Sequence, residues 1–334
     1  LIDGVVNGCP SHLLEPQSTN LITYSEDFSK SVWTKSSSGT GITPIITSDY
    51  AISPDGTQNA TRVQFDNGGG TSSSDFTFLQ TIHSTISIAS SSIWMKSNDS
   101  NNYDIALRGS NFVVCNVTSK WQRFELNNQI NEVFLQLILR GTYGTSNNAD
   151  ILIYGAQAEN NSYSTSYIPT SGSAVTRVEE TATGSGDAST FNDSEGVLMA
   201  EISALDESQS VTTISISNQS LSNRVLIVFS GGELRGQFVS SSDNISKNTS
   251  GVVIQDFNKI ACSYTSTSFK VFVNGLQIQN TSTISTALVG IRDISFNRGD
   301  GVLDFSGNTK QLQYYNTALN DSDLETLTSW TSFT

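Results

Sequence analysis

The sequence predicts an all-β protein of two β-sandwich (jelly-roll) domains in series, closed by a short C-terminal helix. Its 334 residues exceed one ordinary domain. Hydrophobic residues make up only 36% and charged residues 14%, and Ser, Thr, Asn and Gly are abundant. That profile suits half-buried strands and many turns, and argues against helical bundles. Short alternating apolar runs recur between clusters of Gly, Asn and Ser, the spacing of sandwich strands and not of βαβ units.

Residues 1–20 hold Gly8-Cys9-Pro10 and Glu15-Pro16, punctuation that predicts an irregular entering arm. A first domain then spans 21–178. Runs at 60–65, 76–82, 92–96, 103–107, 111–117, 121–126 and 132–139 read as its strands. Within 76–82, Phe76, Phe78 and Gln80 share one face and Leu79 the other. Residues 151–154 make a closing strand. It breaks at Gly155 and passes through a polar turn and an arm around Pro169 to a linker at 179–194. The second domain, 195–334, opens with a strand at 196–202, with Val197, Met199 and Glu201 on one face and Leu198, Ala200 and Ile202 on the other. Strands at 211–216, 303–305 and 311–315 are expected. Gly231-Gly232 and Asn274-Gly275 mark hairpins, because such turns need φ > 0 at both central residues. At the end Asn320 is a good N-cap, acidic residues fill the first turn, and Leu319 and Leu324 have the spacing of a hydrophobic staple.

Charge and motifs exclude several functions. With 17 Lys and Arg against 31 Asp and Glu, the net charge of −14 speaks against DNA or RNA. No run approaches the roughly 18 apolar residues of a membrane span, so membrane insertion is not expected. No signal peptide is visible, and the abrupt start without Met reads as a fragment of a longer chain. Cys9, Cys115 and Cys262 lack metal-site spacing, and Cys262 lies in an apolar run. His12 and His83 stand in no triad-like context, which predicts a protein that is not an enzyme. Arg298-Gly299-Asp300 is a three-residue match in a turn and carries no weight.

Two blocks of sequence flank the first domain. One runs Leu13-Leu14-Glu15-Pro16-Gln17, then Thr19-Asn20-Leu21, Tyr24-Ser25-Glu26-Asp27-Phe28 and Trp33-Thr34-Lys35. The other runs Gly155-Ala156-Gln157, then Tyr163, Thr165-Ser166-Tyr167-Ile168-Pro169-Thr170 and Val175-Thr176-Arg177. With Ile93-Trp94-Met95-Lys96 and Trp121-Gln122-Arg123-Phe124, they resemble the carbohydrate-binding-module-like jelly roll of bacteriophage tail and head fibre proteins. Asn258-Lys259-Ile260-Ala261, Phe272-Val273-Asn274-Gly275 and the run from Leu312 to Leu324 are similar to the concanavalin A-like (laminin-G-like) domain that follows it there.

The resemblance implies a non-enzymatic virion fibre or receptor-binding module that recognises host-surface glycan. It would be a homotrimer among other virion structural proteins, assembled in the host cytoplasm and carried on the extracellular particle. One alternative is a purely structural capsid-decorating or head-fibre protein. Another is the binding part of a secreted bacterial polysaccharide-active enzyme or adhesin. Concanavalin-like glucanases carry Glu-x-Asp-x-x-Glu; here Glu201 is followed by Ser203 and Asp206, a departure that favours binding over hydrolysis. Sugar recognition by a sandwich uses rings stacked on pyranose faces, and the candidates are Trp33, Tyr103 and Tyr143, each beside polar loop residues. Trp94 and Trp121, inside alternating runs, are expected in the core. A structural Ca²⁺ would take Glu26, Asp27 and Asp150, hard oxygen ligands near the first and last strands; the alternative for these three is solvated surface carboxylates. No other cofactor is expected.

Overall fold

A computed structural model describes residues 10–140, 143, 146–207, 210–249, 251–281 and 283–330. Cys9 lies outside the described residues. The chain divides into two compact units, Gln17–Val178 and a second made of Leu1–Pro16 with Glu179–Thr334. Its first strand, β1 (His12–Leu14), belongs to the second unit. The unit Gln17–Val178 holds β2 (Ser18–Asn20), β3 (Trp33–Ser38), β4 (Ile42–Ala51), β5 (Ala60–Asp66), β6 (Phe76–Ser97), β7 (Tyr103–Arg108), β8 (Phe112–Val117), β9 (Gln122–Arg140), β10 (Asn148–Glu159) and β11 (Val175–Arg177).

Two pairs of expected strands are single long strands. β6 joins 76–82 to 92–96, and β9 joins 121–126 to 132–139. The Ser- and Asn-rich stretches between them read as turns but stay paired, with register shifts between Ile82 and Ile86 and between Ala89 and Ser91. Such bulges bend a strand without ending it. The later half of β6 pairs with β10 and the early half of β9. Its first half pairs with β3 and the late half of β9, beyond which lie β7 and β8. Inward side chains of both halves share one core: Val63, Ile93, Met95, Ile151 and Ile153 meet Leu79, Leu107, Leu135, Leu137 and Leu139. β2 pairs antiparallel with β11, so part of the stretch expected to be irregular is a strand.

The second unit adds β12 (Glu195–Ala204), β13 (Thr212–Ser217), β14 (Arg224–Ser230), β15 (Glu233–Val239), β16 (Asn244–Asn248), β17 (Asn258–Thr265), β18 (Phe269–Val273), β19 (Leu276–Thr281), β20 (Asp293–Ser295), β21 (Gly307–Tyr315) and α1 (Asp321–Thr328). They form a six-stranded sheet, β1-β21-β12-β17-β18-β19, and a five-stranded sheet, β16-β15-β14-β13-β20. β1 contributes Leu14 to this unit's core, which is why three residues of the supposed arm are ordered as an edge strand. β12 is apolar on both faces because both are buried. Leu198, Ala200 and Ile202 enter the inter-sheet core, while Val197 and Met199 pack with Leu324 of α1. Asn320 caps that helix by accepting the Asp323 N–H at 2.9 Å.

Residues 179–194, expected as a linker, pack on this unit instead. Ala182 and Ser185 bond the main chain of Phe296 and Ile294, and Phe191 enters the core. Residues 303–305 form no strand: Leu303 has φ +58°, a left-handed conformation that breaks an extended run.

Candidate functional site

Trp33 is 1% exposed. Its indole N–H donates to the Tyr24 carbonyl at 2.8 Å and its ring lies 4.7 Å from Phe28. With its one polar atom satisfied, the ring belongs in the core and offers no face to a ligand. Tyr103 is buried likewise, its hydroxyl donating to Asp99 at 2.8 Å. Trp94 and Trp121, expected in the core, are half-buried. Trp94 alternates outward with Lys96, against the inward Ile93 and Met95, and Trp121 donates its N–H to the Ile52 carbonyl at 3.3 Å. Of the three candidates only Tyr143 escapes full burial, and it is half-buried.

Tyr143 stands on the outer face of the sheet β3-β6-β9-β7-β8. The register places Phe76 opposite Arg140, Phe78 opposite Ile138, Gln80 opposite Gln136 and Ile82 opposite Phe134. Ile138 and Gln136 continue to Ala106 and Arg108 of β7, and these to Val114 and Phe112 of β8. In an antiparallel sheet directly opposed residues share a face. All of these positions therefore point away from the core that holds Leu79, Leu107, Leu135 and Leu137.

Across this face, aromatic rings alternate with guanidinium and amide groups. Phe112 and Tyr143 have ring centroids 4.4 Å apart, and Phe76 and Phe78 are 5.9 Å apart. The Arg140 guanidinium lies 4.7 Å from the Tyr143 ring and 6.0 Å from that of Phe76, and donates to the Tyr143 hydroxyl at 3.1 Å. Arg108 lies 5.3 Å over Phe134 and donates to Gln136 at 3.0 Å, which donates to Gln80 at 2.9 Å. These contacts fix the long side chains, each cation–π pair adding roughly 0.5–1 kcal/mol at such exposure. Phe112 remains 49% exposed and Ile82 70% exposed. Ala106 and Ile138 lie buried beneath the layer.

The arrangement can stack on an apolar ring face and hydrogen-bond hydroxyls at its edge, the two contacts a shallow sugar site needs. Asp104 on this face accepts from Asn116 at 2.9 Å. His83 is buried, its Nδ1 lies 2.9 Å from the Ser84 carbonyl, and burial holds its pKa below the ordinary value. His12 is exposed, its ring 6.1 Å from that of Phe296.

The three residues expected to hold calcium are not brought together. Asp150 is engaged through both oxygens by Arg62, at 2.8 and 2.5 Å. Asp27 caps Ser29 and pairs with Lys30 at 3.2 Å. Glu26 accepts from the hydroxyls of Tyr154 and Tyr167 and from the Asn59 amide. Among the described residues no three His, Cys, Asp or Glu side chains cluster as a metal site. Arg298 and Asp300 pair with each other at 2.6 Å, so that tripeptide is closed on itself.

Phe78, Phe112 and Phe134 were not singled out as ligand contacts in the sequence. The alternation Phe-x-Phe-x-Gln at 76–80 was the available signal, since it puts two rings and an amide on one side. No family model matches the chain, and no curated protein matches it. Solved structures similar to it include the CBM40 module of the Ruminococcus gnavus IT-sialidase bound to α2,3-sialyllactose. That match has 15% identity and TM-score 0.37 over 44% of this chain and 94% of the other. Leech intramolecular trans-sialidase matches at 15% identity and TM-score 0.38, over 46% and 27%. Domain 4 of the Geobacillus stearothermophilus arabinanase AbnA, in complex with arabinotriose, matches at 14% and TM-score 0.35, over 47% and 73%. Likeness at this level is one of β-rich architecture, and no site residue carries over from it.

Proposed function

We propose that this chain is a non-catalytic glycan-binding module whose contact surface is the outer face of β3, β6, β9, β7 and β8. The observation that carries the reading is the ring layer of Phe76, Phe78, Phe112, Phe134 and Tyr143, interleaved with Arg108, Arg140, Gln80 and Gln136. Rings take the apolar face of a pyranose, while guanidinium and amide groups meet its hydroxyls. The finer placement, a bacteriophage fibre module that meets host-surface glycan, is supported by the two blocks of sequence flanking the first unit. In a homotrimer, weak sites of this kind would gain from multivalency.

The test is a glycan array probed with the full chain, followed by titration of Phe112→Ala and Tyr143→Ala. Loss of one stacking ring is expected to weaken binding about tenfold, with the unfolding midpoint unchanged for the exposed Phe112. Retention of no glycan by the full chain would leave a purely structural role, and parental affinity in both variants would overturn the ring layer as the contact surface. Antibody labelling of particles in micrographs tests the virion assignment separately.

A further inference from the structure

We infer that a groove at the bend of β6 and β9 is a second carbohydrate site, one that takes an uncharged oligosaccharide by hydrogen bonding instead of ring stacking. The groove holds about 590 Å³, within the range of roughly 300–1,000 Å³ typical of small-molecule sites. Its polar lining includes Gln17, Thr85, Ser87, Asn131, Asn160 and Asn161, and no charged side chain lines it. That is notable in a chain with 31 acidic residues, and it decides the ligand's charge. An ionic ligand would give up hydration for no counter-charge. A neutral polyol meets amides and hydroxyls that both donate and accept.

Leu21 and Ile86 add a small apolar patch to the lining, suited to the C–H face of one sugar unit. No aromatic ring lines the groove, which separates its chemistry from that of the ring layer. The walls are held in place before any ligand arrives. Asn161 donates to Ser18 at 2.8 Å, and Ser18 donates to the buried Glu159 at 2.5 Å. On the opposite side the ladder of β6 and β9 shifts register between Ile82 and Ile86, and Asn131 takes φ +54°. Thr85, Ser87, Asn131 and Asn160 are thereby left exposed.

The test is an amide-shift titration of the isotope-labelled full chain with maltotriose, cellotriose and N-acetyllactosamine at millimolar concentration. Sialyllactose and a glucosamine trimer serve as charged controls. At least one neutral sugar is expected to shift Thr85, Ser87, Asn131 and Asn160, and the charged sugars are expected to leave them still. Thr85→Arg, which fills and charges the groove, should weaken that binding tenfold or more, as should Asn160→Ala to a lesser degree; Phe112→Ala should not change it. Asn160→Ala also keeps the test decisive should Thr85→Arg fail to fold. The inference is overturned if no neutral sugar shifts the groove, if the shifts survive both groove variants, or if the charged sugars bind as well. Because Phe112 and Tyr143 report separately, failure here is distinct from failure of the ring layer.

Discussion

Asn20 is fully buried, and its side chain makes four hydrogen bonds, each to main chain. It donates to the carbonyls of Ala156 and Ile168 and accepts the N–H groups of Ile22 and Ala158. Neighbouring residues behave alike. Glu159 accepts from Ser18, Gln157 and both donors of Thr165, and Thr170 bonds Ser25 and Ile22. Removing a buried amide leaves its partners unsatisfied, so Asn20→Ala is expected to cost about 3 kcal/mol, measured by urea unfolding. A cost below that of an ordinary surface substitution would contradict this account. The buried cysteines are a second case. Burial pushes the Cys115 thiol up to about 12 and raises that of Cys262 as well. The thiolate is the reactive form, so a Cys9→Ser chain should react with Ellman's reagent only once denatured. Rapid labelling of the native chain would show that one of these thiols is not enclosed.

At the scale of elements, this network explains why the two distinctive sequence blocks accompany one another. The first block supplies β2, Asn20, Ser25 and Glu26; the second supplies Gln157, Glu159, Thr165, Tyr167 and Thr170. They are the two sides of one clasp, further closed by the pairing of β2 with β11. Their residue choice therefore serves architecture, and the ring layer lies elsewhere. In the second unit, Gly236 of β15 sets how closely two sheets approach. A Cβ built there would lie 2.6 Å from a Val271 methyl carbon and 2.8 Å from the Cys262 sulfur. Gly236→Ala is expected to destabilise this unit by about 1–3 kcal/mol through overpacking, read as a lower midpoint of thermal unfolding. An unchanged midpoint would mean the sheets can part without strain.

For the molecule as a whole, acid is the informative perturbation. Asp55 is held below its ordinary value: burial opposes this and is outweighed by hydrogen bonds from Thr57, Ser53 and Tyr154. Asp99 is held at about 2, first by the Asn101 N–H and then by the Tyr103 hydroxyl. Asp27, Asp243 and Asp300 are also lowered. A carboxyl with a depressed folded value stabilises above its unfolded value, and that contribution fades as pH falls through the folded one. Glu132 runs the other way, raised by burial despite bonds from Ser91 and Ser110, so its contribution is lost as pH rises. The depressed groups are the more numerous, so the urea midpoint should fall on acidification from the ordinary aspartate value of 3.8 toward the value of about 2 reached by Asp99. Glu132 acts only above its ordinary value of 4.5, so a midpoint that rises over that window would contradict this account.

The sequence by itself determined the fold class, the two hairpin turns and the capped helix. Each is a local decision: period-two alternation, an Asn-Gly pair that tolerates φ > 0, and an Asn side chain three residues from its N–H partner. It also put Phe76 and Phe78 on one face, because strand geometry alone sets that. Which face looks inward was decided only by the tertiary structure. Partner strands supply Leu79 with a core and leave the two phenylalanines outside. The rest of the ring layer shares that cause, since Phe112, Phe134 and Tyr143 become neighbours through pairings between strands remote in sequence. Trp33 shows the converse. A tryptophan beside polar loop residues looks available for a ligand until the Tyr24 carbonyl satisfies its N–H and the core can accept it. Tertiary pairing also turned residues 12–14 from an irregular arm into the edge strand of the second unit's six-stranded sheet, because the N–H and C=O groups they needed lay on β21.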